Sequence, residues 1–242
     1  MAVSESENSA VRAPAHTPAH AAAPLAQPTA PFAVKQQRAL RTRQALISSA
    51  AHAFEEHGYT RASLADISAG AGVSRGALGH HFQDKAAVAA TVEAVAAGRL
   101  REIATAARRS DANPLRKLAS ASLAVVEQLR RDVVIRAGLR LAGDPSFASR
   151  TDLYQEWERC VAGLLAEAAD AGLLTGDPAL RRVALATITA ASRGFVTLGH
   201  EDPDWLDPQL HVHFWDLMLT GLTIPRPPSV PRSRAAAGPS GR

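Results

Sequence analysis

The obvious candidates for chemistry in this 242-residue chain are its nine histidines and its single cysteine. His80 and His81 are adjacent, and His211 and His213 are two apart. A helix brings together residues three or four apart, so neither pair can share a metal ion or form an acid–base couple from one face. No carboxylate stands at ligand spacing beside them. Cys160 alone excludes an intramolecular disulfide and a Cys-based metal site, and reads as a small buried apolar side chain. No phosphate-cradling glycine loop and no nucleophile elbow occurs. The residue types therefore predict no catalytic residues, no metal and no cofactor, and what remains is the chemistry of binding.

That chemistry concentrates between Ser63 and Lys85, in SLADISAGAGVSRGALGHHFQDK. Ser63 and Asp66 have the spacing of a capping box, so a short helix begins there and buries Leu64 and Ile67. Gly70 to Gly72 end it, Gly72 supplying a left-handed turn residue and Val73 an apolar plug. Ser74 caps a second helix that shows Ser74, Arg75 and Gly76 to solvent and turns Ala77, Leu78 and Phe82 inward. A helix presented in this way fits the major groove of DNA, with side chains near its N-terminus reaching base edges. Lys85, at the start of the next helix, is suited to a phosphate, and Arg38, Arg41 and Arg43 upstream can reach phosphates or simply be solvated.

The elements that must carry this stretch are all helical. The formal net charge is +4, and the four arginines Arg226, Arg232, Arg234 and Arg242 beyond the last helical pattern account for it. Between Lys35 and Lys85 seven basic residues (Lys35, Arg38, Arg41, Arg43, Arg61, Arg75, Lys85) face four acidic ones (Glu55, Glu56, Asp66, Asp84), a local excess that suits a polyanion. Residues 1–34, rich in Ala, Pro, Ser and His, and residues 225–242, rich in Pro, are expected to be disordered. No apolar run reaches the ~20 residues of a membrane span and no signal peptide is evident, so a cytoplasmic protein with no membrane partner is expected.

Between those ends, Ile47, Ala50, Ala51 and Phe54 mark the face of a helix closed by Gly58. Asp84 caps a long helix carrying Val88, Val92, Val95, Ile103 and Ala107. Leu115, Leu118, Ala119, Ser122, Val126 and Leu129 mark another, and Val133–Asp144 a shorter one. Leu153, Trp157, Cys160, Val161, Leu164, Leu165 and Ala168 form a core stripe that ends at Gly172. Asp177-Pro178 and Asp207-Pro208 each place a cap residue before a first-turn proline. The two helices they open carry Leu180, Val183, Ala184, Thr187, Ala191 and Leu198, and Leu210, Phe214, Leu217, Met218 and Gly221. The fold class is all-α, with about nine helices.

The stretch from Gly72 to Lys85 resembles the DNA-binding domain of the TetR family of one-component repressors, whose pattern reads G-V-S-x-G-x-L-Y-x-H-F followed by a Lys. One position departs: the family's Tyr is Gly79. The resemblance implies a three-helix helix-turn-helix domain over 35–83, a connector helix, a helical ligand-binding and dimerisation domain over 84–224, and a homodimer. Its last two helices would pair with those of the second subunit, although the sequence alone also allows them to be core helices. It further implies that Arg75 reads bases from a recognition helix that exposes Ser74 and Gly76, and that Ser63, His80 and Lys85 grip phosphates.

VIRAGLRLAGD and the following YQEWERCVAGLLAEAADAGLL resemble the γ-butyrolactone receptor branch of the family, pseudo-receptors included. In that branch a pocket Trp packs against the signal. Trp157 stands at that position, Ser192 is a polar candidate on the opposite wall, and Val126 and Leu139 would line the pocket. A plain core role for Trp157 stays open. The implied function is a repressor bound as a dimer to a palindromic double-stranded DNA operator and released by a small hydrophobic inducer. That inducer would be a γ-butyrolactone-like molecule, an antibiotic or an antibiotic intermediate, which places the target genes in secondary metabolism. The alternatives are a drug-sensing regulator of an efflux gene, and a helical ligand-binding protein with weakened DNA binding.

Overall fold

A computed structural model describes residues 30–174 and 177–223; the N-terminal extension up to residue 29 and the C-terminal tail lie outside the described residues. The chain divides into two compact units, Met1–Arg38 and Ala39–Arg242. In the first, the described residues 30–38 are helical and those from Val34 onward are exposed. Helix thus begins at Ala30, before the boundary expected at residue 35, because Pro31 falls in the first turn, where a missing N–H is no loss.

Among the described residues the elements are α1 (Ala30–Arg61), α2 (Leu64–Gly70), α3 (Arg75–His81), α4 (Lys85–Arg109), α5 (Pro114–Arg131), α6 (Val133–Gly143), α7 (Leu153–Asp170), α8 (Pro178–Glu201), a 3-10 turn (Pro203–Leu206) and α9 (Pro208–Thr223), with no strand. The polar punctuation sets their starts. Ser63, Ser74, Asp84, Asn113 and Asp177 each extend at the N-cap, and these five and Asp152 each accept a backbone N–H of the first turn. Each such cap is worth ~1 kcal/mol. Gly58 (φ 72°) breaks α1 near its end, and Gly72 (φ 66°) makes the turn between α2 and α3.

Leu46, Ala50, Phe54, Ile67, Leu78, Phe82, Val88 and Val92 form the core of the helix-turn-helix head. Val134, Ala137 and Leu141 of α6, with Phe147 of the following loop, complete that core. The head is therefore closed by a helix more than 40 residues downstream of α3, which the sequence pattern alone did not reveal. The closeness of α4 and α6 has a visible cause: a Cβ on Gly138 would lie 2.3 Å from the Ala96 Cβ. Buried Glu93 of α4 accepts from the Ser149 hydroxyl and from the Arg150 N–H (3.1 Å), which fastens the loop after α6 onto α4.

The α8 and α9 stripes divide between an inner and an outer face. Ala184 and Ile188 of α8, and His211, Trp215 and Leu222 of α9, face inward. Of the positions expected to form the stripes, Val183, Leu198, Leu210 and Leu217 lie on the outer surface. Each helix has two apolar faces, so a single period could not tell which one meets the core.

Candidate nucleic-acid interface and internal cavity

The short α3 exposes Arg75, Gly76, Gly79 and His80 on one side and buries Leu78 on the other. The Ser74 hydroxyl accepts the Ala77 N–H at 3.1 Å, so Ser74 serves first as the cap. A Cβ at Gly79 would meet nothing within 4 Å, so the glycine is not required by packing. Arg43 of α1 is exposed, its guanidinium 5.5 Å from the centre of the Phe82 ring at the end of α3. Arg75, His80 and Arg43 thus offer cationic or hydrogen-bonding groups to one partner around α3.

Two of the expected phosphate ligands do other work. The Lys85 ammonium donates to the carbonyls of Tyr59 (2.8 Å), Thr60 (3.1 Å) and Ala62 (3.2 Å), which uses its three hydrogens, and lies 4.6 Å from the Tyr59 ring centre. Lys85 therefore ties the end of α1 to the start of α4, a long-range job that spacing in the sequence cannot show. Ser63 accepts the Asp66 N–H (3.2 Å), which is one half of a capping box, and donates its one hydrogen to the Asp66 carboxylate (2.6 Å) in place of the backbone bond that would complete the box. Its hydroxyl reaches a phosphate as a donor only by releasing Asp66.

Below the head, α4, α5, α6, α7, α8 and α9 enclose a cavity of about 110 Å³. That is several times the ~10–15 Å³ that one water needs. Its walls include Ile103, Val126, Leu139, Trp157, Phe195 and Val196, so it is mainly apolar. All four residues expected in a pocket, Trp157, Val126, Leu139 and Ser192, line it. The Trp157 indole donates to the Ser192 hydroxyl at 3.1 Å, and Ser192 in turn donates to the Ile188 carbonyl at 2.7 Å. The two polar groups expected to meet a ligand thus hold one another across the cavity and fix the indole plane. Arg101 and Glu156, paired at 3.3 Å, also line it, as do Tyr154 and His211.

Tyr154 escaped the sequence reading, and His211 was weighed there only for metal or acid–base chemistry. Tyr154 donates to the Leu139 carbonyl (3.3 Å), and burial pushes its hydroxyl pKa up against the opposing influence of Arg193, whose guanidinium lies 4.2 Å from the ring centre. Burial likewise holds the His211 pKa below its ordinary 6.5, outweighing the Trp205 carbonyl and Asp207, which pull it up. The only signal for His211 was its place on a helix face opposite to that of His213, which is exposed. Among the described residues no group of His, Cys, Asp and Glu is placed to hold a metal ion.

One helix touches both sites. Leu139 of α6 is a wall of the cavity, while Arg136 on the same helix pairs with Glu55 of α1 through both carboxylate oxygens. Arg140 donates to the Glu55 carbonyl, and Asp144 accepts the Tyr59 N–H at 3.1 Å. The R-A-G-L-R-L-A-G-D segment thereby finds a physical reason: its charged residues latch α1, its Gly138 admits α4, and its Leu139 faces the cavity.

A helix-turn-helix head carried on a helical bundle with an internal apolar cavity defines a class, the two-part helical regulators. Residues 46–92 match the family model described as bacterial regulatory proteins, tetR family. That match covers the helix-turn-helix head and the start of α4. It is similar to the A-factor receptor protein of Streptomyces griseus, 29% identical over 131 residues, which is 54% of this chain and 45% of that protein. It is also similar to the HTH-type transcriptional repressor BepR of Brucella suis, 35% identical over 95 residues, 39% of this chain and 46% of that one. The chain thus spans less than half the length of either relative. Among solved structures, the TetR family protein CprB of Streptomyces coelicolor in complex with its operator sequence superimposes with a TM-score of 0.67 and 26% identity. That likeness covers 77% of this chain and 90% of CprB. A γ-butyrolactone receptor described as ArpA-like shares the fold, with a TM-score of 0.63, 24% identity, and coverage of 78% of this chain and 91% of the receptor.

Proposed function

We propose that this chain is a cytoplasmic transcriptional repressor that binds a palindromic operator as a dimer and leaves it when a small hydrophobic molecule enters the cavity. The inducer belongs to the γ-butyrolactone-like signals or to antibiotics and their intermediates, and the regulated genes to secondary metabolism. The observation that carries the reading is α6, which walls the cavity with Leu139 and latches the head with Arg136, Arg140 and Asp144. A ligand that presses on Leu139 moves the same rigid rod that grips α1, so filling the cavity and tilting the head are one event. The relatives support the class of ligand and the operator; they are respectively an A-factor receptor and an operator-bound regulator.

Two α3 helices must stand ~34–36 Å apart to enter successive major grooves, and a ligand that alters that spacing lowers operator affinity. The dimer that sets the spacing is supported by Val183 and Leu198 on α8 and by Leu210 and Leu217 on α9, all exposed in the single chain, Leu217 at 73%. Domain roles follow the same division: a DNA-binding head up to about residue 83, then a ligand-binding and dimerisation body.

In this reading Arg75 is the base-reading residue, Arg43 and His80 hold phosphates, and Ser74 and Gly76 shape the approach of α3. Arg75→Ala tests it in a binding titration at one fixed salt concentration. Loss of a bidentate base contact costs ~1–3 kcal/mol, so operator affinity falls about tenfold or more while binding to unrelated DNA changes far less. Equal affinity of variant and parent for the operator contradicts the assignment of α3.

A further inference from the structure

Among the described residues the buried polar ones are Ser68, Glu93, Ser122 and His211. Three of them have partners. Ser68 donates to the Ala65 carbonyl (2.9 Å), Glu93 accepts from Ser149 and Arg150, and His211 pairs through Nε2 with the Trp205 carbonyl (3.0 Å). Ser122 of α5 lines the cavity and is only 8% exposed, yet its hydroxyl bonds to no described residue. A helical hydroxyl commonly returns its hydrogen to the carbonyl one turn back. Ser192 does so to Ile188 (2.7 Å), Thr91 to Ala87 (2.9 Å) and Thr189 to Leu185 (2.8 Å). The Ser122 hydroxyl makes no such bond to the Leu118 carbonyl. Nor is it sealed in: the orphan polar atoms closed off from water are His211 Nδ1 and Trp215 Nε1. The little surface that Ser122 keeps therefore includes its hydroxyl, and that surface opens on the cavity.

The other hydrogens around the cavity are spent. The Trp157 N–H goes to Ser192, Ser192 gives its hydrogen to Ile188, and Tyr154 gives its own to Leu139. Cys160 offers only a weak S–H donor. Arg101, paired with Glu156, has 59% of its side chain exposed and so belongs to the solvent side of the wall. Acceptors remain in the Glu156 carboxylate and in the Ser192 and Tyr154 oxygens, so what Ser122 adds to the cavity is a donor. We propose that Ser122 determines specificity in this cavity by donating its hydroxyl hydrogen to a carbonyl oxygen of the ligand. The proposal rests on the cavity being the inducer site. It narrows the ligand class to mainly apolar molecules bearing a carbonyl, such as a lactone or ketone with an alkyl tail. A ligand carbonyl that left water for an apolar wall would lose its hydrogen bond, and Ser122 replaces that bond. A site built around one such bond rejects the analogue lacking the group more strongly than an apolar wall distinguishes one methylene.

The test uses the full chain and two probes of one skeleton. One is γ-octalactone with a 13C-labelled carbonyl; the other is 2-butyltetrahydrofuran, which keeps the ring and tail and lacks the carbonyl. Affinities are read by calorimetry and the labelled carbonyl stretch by infrared difference spectroscopy. The lactone should bind about tenfold more tightly than the ether, the scale of one net hydrogen bond, and its band should lie below the frequency found in an apolar solvent. In Ser122→Ala the preference should vanish and the band should return to the apolar-solvent position. The ether's affinity should stay unchanged, which also shows that the variant's cavity is intact. Should the alanine variant not fold, Ser122→Cys, close in size and a weak donor, repeats the measurement. Arg101→Ala should alter neither the preference nor the band. Three results overturn the role of Ser122 while leaving the cavity as a ligand site: equal affinities of the parent for both probes, a preference that survives loss of the hydroxyl, or one lost in Arg101→Ala instead. If neither probe binds the parent, the cavity is not a ligand site, and the inducer reading falls together with this one.

Discussion

Single side chains divide by the reach of their contacts. Ser63, Ser74 and Asp84 cap helices as their spacing requires, because a cap is a local contract between residues three apart. Lys85 was legible as a cation at a helix start, but its three carbonyl partners lie 23 to 26 residues upstream. His211 was legible only as a helical histidine, since its burial depends on the 3-10 turn that brings Trp205 over it. Its lowered pKa gives a pH dependence. The unfolded chain binds a proton near the ordinary pKa of 6.5 while the folded chain resists it, so stability is fully present above 6.5 and is lost as pH falls toward the folded value. Urea midpoints measured from pH 7.5 to pH 5 should decline more steeply for the parent than for His211→Phe. Parallel curves would mean that His211 is not the group responsible.

At the level of elements, the helices and their order were readable because each combines a cap, an apolar period and a stop. Their partners were less so. The two apolar faces of α8 and α9 both satisfy a helical period, and only packing shows that Ala184 and Ile188 turn inward while Val183 turns out. The role of α6 was hidden for another reason: R-A-G-L-R-L-A-G-D was recognisable by likeness, yet its latch joins residues 81 to 85 apart. Arg136 and Glu55 are both largely buried, and removing one member of such a pair leaves the other without compensation. Arg136→Ala should therefore lower stability by ~2–3 kcal/mol in urea unfolding. If α6 transmits the signal, the same variant should also narrow the ratio of operator affinities with and without inducer. An unchanged ratio would place the transmission elsewhere, with α4 the remaining rod between the two sites.

For the whole molecule, the proposed repression requires two heads held at a fixed separation, and on that proposal a second copy would bury the exposed Val183, Leu198, Leu210 and Leu217 of α8 and α9. Leu217→Glu places a charge on that surface without touching the core, since Leu217 is 73% exposed in the single chain. Sedimentation equilibrium should show the parent as a dimer and the variant shifted toward monomer, with operator binding weakened in step. A parent that sediments as a monomer at micromolar concentration would remove the basis for paired recognition helices. The fold class and the cavity-lining set of Trp157, Val126, Leu139 and Ser192 were accessible from sequence because the helical periods and the family likeness agreed. The bond between Trp157 and Ser192 across the cavity was not, because it joins side chains 35 residues apart on different helices.

The most direct test of the account is binding of the purified full-length chain to DNA fragments flanking its own gene, at one stated salt concentration, with and without an organic extract of the source culture. Salt must be fixed because affinity for DNA falls steeply with it. The account predicts that a fragment is bound, that the extract releases it, and that Trp157→Ala, with one wall of the cavity removed, resists release while still binding. A fragment that stays bound by parent and variant alike at every extract concentration would contradict ligand-released repression, and no binding even at low salt would contradict the operator-binding role of α3.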